Sequence, residues 1–203
     1  MLSFSHFFQP DAMKNTLAAL PAPISAPALC ALPMLALALT PGAAFATQYL
    51  SPEQAQQVMF PAATRFEAET LQLSGEQMQR IEKLASLQAR SSSWRVVSAY
   101  AGDKLLGYVV QDDVIGKVEL ISYAVALNLD ASVRQVEILA YRESHGFEIR
   151  NPAWRKQFVG KSADSGMAIG GGIANISGAT LSCTHVTDGV RRIAAMVKVA
   201  FKA

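Results

Sequence analysis

Six residues near the C-terminus, Ser177-Gly178-Ala179-Thr180-Leu181-Ser182, have the types and spacing that chemistry at a phosphate needs. Three hydroxyls stand among small residues, a glycine run (Gly170-Gly171-Gly172) leads in, and a helical pattern follows. A flexible turn emptying into a helix N-terminus presents backbone N–H groups, and the positive end of the helix dipole, to an anion. By composition alone the same stretch reads more readily as a turn followed by a helix cap.

The remaining residues able to do chemistry are few. Glu143-x-x-Gly146 offers a carboxylate three positions before a glycine, with His145 between them. Glu143 can accept from a ligand N–H or hydroxyl, or pair with Arg142 at the surface. Gly146 permits close backbone approach. Trp154 and Phe158, four apart on a short helical pattern, read as core anchors more readily than as a stacking platform. Lys161 can pair with a phosphate or lie exposed. Cys183 and His185, two residues apart, make a poor metal set, and Cys183 reads as a small buried residue.

The elements that must position these groups follow from pattern. Ser51-Pro52-Glu53 opens a helix that stops before Pro61, and Ser74-Gly75-Glu76-Gln77 opens a second through a capping box. From Trp94 the period changes to two. Strands over 94–100 and 105–110 flank a Gly102-Asp103 turn, a long apolar run covers 118–129, and 133–141 returns after Asp130-Ala131-Ser132. On the last helix, expected from Ser182, Val186, Val190, Ile193, Val197 and Phe201 form one stripe, with Arg191, Arg192, Lys198 and Lys202 facing out. The fold class is α+β: a twisted antiparallel sheet flanked by helices, with a C-terminal amphipathic helix after the turn.

The first forty-six residues read as an address. Met13-Lys14-Asn15, an Ala/Leu/Pro-rich run and Ala44-Phe45-Ala46 are the basic start, apolar centre and small-residue exit of a secretory signal peptide. Met13 serves as an alternative start. The run is interrupted by Pro21, Pro23, Pro27 and Pro33, and falls short of the roughly 20 apolar residues of a membrane span. Cleavage near Ala46 leaves a 47–92 helical segment and a 93–203 domain, periplasmic or exported. A net charge of +2 without a basic run leaves nucleic acid no electrostatic footprint. With only Cys183 remaining after cleavage, an internal disulfide is excluded and packing must supply the stability.

Taken together, the hairpin sheet, Glu143-x-x-Gly146, Trp154-x-x-x-Phe158-x-Gly160-Lys161, Ser177-Gly178-Ala179-Thr180 and the final helix resemble the FMN-binding domain family. That family occurs in the flavin subunits of the sodium-pumping NADH:quinone oxidoreductase and the Rnf complex. The resemblance implies FMN esterified through its phosphate to Thr180 by a dedicated flavin transferase. It makes Ser177, Gly178 and Ala179 the recognition sequence and phosphate bed, and puts Glu143 and Gly146 near the flavin. Ser182 caps the helix or donates to a phosphate oxygen, and Lys161 is placed as a phosphate partner. Where the family usually carries an aspartate, this chain has Ala174, with Asn175 next. The function implied is an exported electron carrier working between redox partner proteins, at a membrane electron-transfer complex or as a soluble shuttle. The alternatives are a flavin-dependent reductase of a small exported substrate and a flavin-free binding or sensing module.

Overall fold

The computed structural model describes residues 47–201. The signal-peptide expectation over 1–46, and Lys202, lie outside these residues. Six strands form one antiparallel sheet: β1 (Thr47–Gln48), β2 (Arg65–Gln72), β3 (Ser93–Ala101), β4 (Lys104–Ile115), β5 (Leu120–Leu127) and β6 (Val133–Tyr141). Their spatial order is β1-β6-β5-β4-β3-β2. Four helices accompany it: α1 (Pro52–Met59), α2 (Gly75–Ala85), the short α3 (Pro152–Arg155) and α4 (Thr180–Ala200). This is the α+β architecture expected.

The alternation of β3 to β6 divides the core into two layers. Val96, Val110, Val125 and Val136 are register partners in one file across four strands and face α2, α4 and the 149–173 segment. The next file turns Val97, Val109 and Ala126 to the other face, where α1 delivers Ala55, Met59 and Phe60. Each fully buried valine contributes about 1.5–3 kcal/mol relative to exposure, which is why the register of this sheet cannot slip. On α4, Val186, Val190, Ile193 and Val197 bury together as the periodicity requires. Gly189 lets the helix come down on β5: a Cβ there would overlap the hydroxyl of Tyr123.

Three features depart from the sequence pattern. The 47–92 segment is not purely helical, because β1 and β2 both join the sheet. β2 reads Arg65-Phe-Glu-Ala-Glu-Thr-Leu-Gln, is exposed on both faces for most of its length and sits at the sheet edge. An edge strand has little apolar surface to advertise, and charge protects it from pairing with another chain. α4 begins at Thr180, two residues before the expected start at Ser182. Arg192, expected to face out, is buried.

Candidate functional site

Three segments distant in sequence converge on one groove. They are the tip of the β4–β5 hairpin (Lys117, Val118), the stretch after β6 (Glu143–Glu148) and the turn entering α4 (Ser177–Ser182). The groove measures about 730 Å³, within the roughly 300–1,000 Å³ typical of small-molecule and cofactor sites.

Glu143 builds the first wall. Its Oε1 accepts the backbone N–H of Lys117, of Val118 (2.6 Å) and of Glu119 (2.9 Å), so the hairpin tip is folded around one carboxylate oxygen. Burial pushes this carboxyl up, but the three N–H donors and the nearby Lys117 ammonium outweigh that and hold it below the usual carboxylate range. No ion pair with Arg142 forms. Glu143 therefore shapes the groove through the backbone and leaves Oε2 as its free acceptor.

Gly146 joins the second wall to the third. It lies in the left-handed region (φ 85°), and a Cβ on it would come within 2.7 Å of the Tyr141 hydroxyl and 2.8 Å of the Ala179 Cβ. Only glycine allows this loop to press onto the residue that precedes α4. Tyr141 ties the same region together by donating its hydroxyl to the His145 carbonyl and lying 3.4 Å from Ser182 Oγ.

The start of α4 is open. The helices α1 and α2 each carry a complete capping box, through Ser51 with Gln54 and Ser74 with Gln77. At α4 the cap position is Ala179 and no side chain caps it. The first intrahelical bond runs from Cys183 N–H to the Ala179 carbonyl (2.9 Å). Among the described residues, the N–H groups of Thr180, Leu181 and Ser182 find no acceptor. Thr180 is exposed at the first helical position, beside those three donors. Its Oγ1 accepts from Asn175 Nδ2 at 3.0 Å. Asn175 is in turn steadied through its neighbour: Ala174 donates its N–H to Gln157 Oε1 and accepts from Trp154 Nε1, both at 2.8 Å.

The groove is apolar at its rim. Val118 is 73% exposed, Phe147 59% and Leu181 47%, and all three line it. Exposed side chains of this size around one concavity mark a surface meant to be covered. Uncapped N–H donors at one end and an apolar rim suit a ligand with an anionic end and a flat hydrophobic end. The residues present therefore fit FMN.

Of the residues singled out from the sequence, Glu143, Gly146, Ser177, Gly178, Ala179, Thr180 and Ser182 line this groove together. Ser182 is no helix cap. It occupies the third helical position, buried against Tyr141. Lys161 is not among the lining residues; its ammonium lies beside Gly172. His145 lines the groove from an exposed position, its Nδ1 2.8 Å from Ser144 Oγ. Trp154 and Phe158 are buried in edge-to-face contact with centroids 5.1 Å apart, and Cys183 is buried and free. Sequence pattern missed Val118, Phe147 and Leu181 because isolated apolar residues in a hairpin turn, a short 3-10 helix and an α-helix share no period.

Comparison with curated proteins finds no match to the chain. Among solved structures, the crystal structure of Shewanella oneidensis NqrC is similar, with a TM-score of 0.45 and 17% identity, covering 68% of this chain and 79% of that one. The model of the FMN-binding domain family matches residues 116–195, a stretch that contains every residue lining the groove. That match agrees with the resemblance seen in the motifs of the chain.

Proposed function

We propose that this chain is an exported electron-transfer flavoprotein in which FMN is joined through its phosphate to Thr180. The observation that carries this reading is an exposed threonine at an uncapped helix N-terminus, opening on an apolar-rimmed groove inside an FMN-binding domain. Bound FMN supplies one- and two-electron chemistry, and the protein supplies attachment, orientation and electrostatics. Thr180 would provide the bridging oxygen: its O–H bond would break as the oxygen–phosphorus bond forms, and the activated phosphate donor used by the transferase would release its leaving group from phosphorus. A phosphodiester keeps one negative charge, which the N–H groups of Thr180, Leu181 and Ser182 and the dipole of α4 stabilise by about 0.3–1 kcal/mol at an exposed site. Gly178, with nothing within 4 Å of the position a Cβ would take, leaves the approach open to a flavin transferase. Val118, Phe147 and Leu181 give the ring an apolar seat. The signal-peptide pattern over 1–46 supports an extracytoplasmic location, where a tethered cofactor cannot be lost by dissociation. Partner redox proteins complete the circuit.

The test is the intact mass and visible spectrum of protein produced with a flavin transferase. A gain of one FMN less one water, with yellow colour, is expected, and both vanish in Thr180→Ala. An adduct that survives in Thr180→Ala would place the linkage elsewhere, and an unmodified, colourless protein would end the covalent reading.

A further inference from the structure

A second site follows from Arg192, which lies on the inner side of α4 and is only 8% exposed. A buried guanidinium stays charged and is unfavourable unless acceptors meet it. Among the described residues it makes one hydrogen bond, from Nε to the Gln88 carbonyl (3.0 Å), and no ion pair. The nearby carboxylates are already engaged: Asp188 with Arg191 (3.1 Å), Asp112 with Arg90 (3.4 Å) and the Tyr123 hydroxyl (2.8 Å). The terminal nitrogens of Arg192 are thus left without a protein acceptor, and they are not enclosed: they reach solvent.

Arg192 forms part of the lining of a notch of about 250 Å³, together with Arg90, Val114, Ile115, His185 and Asp188. His185 is fixed there by Nδ1, which donates to the Ile115 carbonyl. The notch shares a wall with the flavin groove without belonging to it. Val114 and Ile115, at the end of β4, line the notch, while Lys117 and Val118, at the hairpin tip, line the groove.

We propose that this notch binds a small monocarboxylate, its carboxylate held by Arg192, with the Arg90 N–H groups not engaged by Asp112 and Asp113 assisting, and its short apolar chain lying on Val114 and Ile115. The planar fork of a guanidinium matches a carboxylate through paired N–H donors. Arg192 is the one unpaired positive charge in this lining, and a monoanion neutralises it, whereas a dianion leaves one negative charge uncompensated beside Asp188. The exposed Ile115 side chain provides apolar surface that an inorganic anion cannot use. This inference is independent of how FMN is attached.

The experiment is calorimetric titration of the full chain with sodium acetate, butyrate and phosphate, each against sodium chloride at equal ionic strength. One saturable site is expected. Butyrate binds about tenfold more tightly than acetate, since each methylene buried contributes about 0.8 kcal/mol, and phosphate binds more weakly than either. Arg192→Lys weakens butyrate about tenfold through loss of the paired donors, and Arg90→Gln, at an exposed position, weakens it several-fold with the fold intact. Ile115→Ser removes the preference for butyrate while acetate still binds. Thr180→Ala leaves all three titrations unchanged, so this site and the flavin linkage fail or stand separately. No heat beyond the chloride control, phosphate binding as tightly as butyrate, or an unchanged affinity in Arg90→Gln would each overturn the proposal.

Discussion

Replacing Gly146 by alanine isolates the contact that joins the Glu143 loop to the start of α4. Two unfavourable terms combine there. A non-glycine residue at φ 85° is disfavoured by about 1–2 kcal/mol. The new methyl would also sit 2.7 Å from the Tyr141 hydroxyl and 2.8 Å from the Ala179 Cβ, and overpacking of that kind typically adds about 1–3 kcal/mol. The total is about 2–5 kcal/mol, or roughly 4–20 °C in Tm for a domain of this size. Gly178→Ala is the matched control. Its φ is 83° and nothing lies within 4 Å of its Cβ position, so it carries the strain without the overlap and should lower Tm by roughly 2–8 °C. Thermal unfolding followed by far-UV circular dichroism compares the two. Tyr141→Phe in the Gly146→Ala background removes one of the two clashing atoms and should recover part of the loss, a positive coupling in a double-mutant cycle. If Gly146→Ala is no more destabilising than Gly178→Ala, close packing against Ala179 is not why glycine is needed there.

Three further outcomes are expected. The Glu143 carboxyl lies below its ordinary value when folded, so its clamp on the hairpin is fully present above the unfolded pKa of about 4.3. That contribution is lost as pH falls through the lower folded value; amide shifts of Lys117, Val118 and Glu119 should titrate together with a midpoint below 4.3, and a midpoint at or above it would contradict the three-donor geometry. Asn175→Ala removes the donor that holds Thr180 Oγ1 at 3.0 Å; a positioning loss of about 1 kcal/mol should slow the proposed flavin attachment about fivefold in an intact-mass time course, and an unchanged rate would make the hydrogen bond incidental to attachment. Gly189→Ala drives a methyl into the Tyr123 hydroxyl and should destabilise by about 3 kcal/mol, seen as a lower denaturant midpoint. Tyr123→Phe should recover part of that loss, and equal stability of the single and double variants would refute the contact.

Local chemistry legible in the chain settled much of this protein. Ser51 and Ser74 mark their helices because their hydroxyls satisfy orphan N–H groups within three residues. β3 to β6 are legible because runs rich in β-branched and aromatic residues, bounded by turn residues, supply apolar side chains to both faces of the sheet. The motif around Thr180 was likewise visible, since its residue types carry the resemblance to a flavin-binding family. The sequence did not show that β2 completes the sheet edge, because an edge strand exposed on both faces has no apolar period. Nor did it show that α4 starts at Thr180 with its donors uncapped, that Glu143 spends one oxygen on the backbone of a hairpin twenty-four to twenty-six residues away, or that Arg192 turns inward. Those facts depend on which surfaces meet, and sequence periodicity reports only what each segment does along its own axis. The turn, the helix and the hydroxyl were written locally; the groove exists only where three distant segments are pressed together at Gly146.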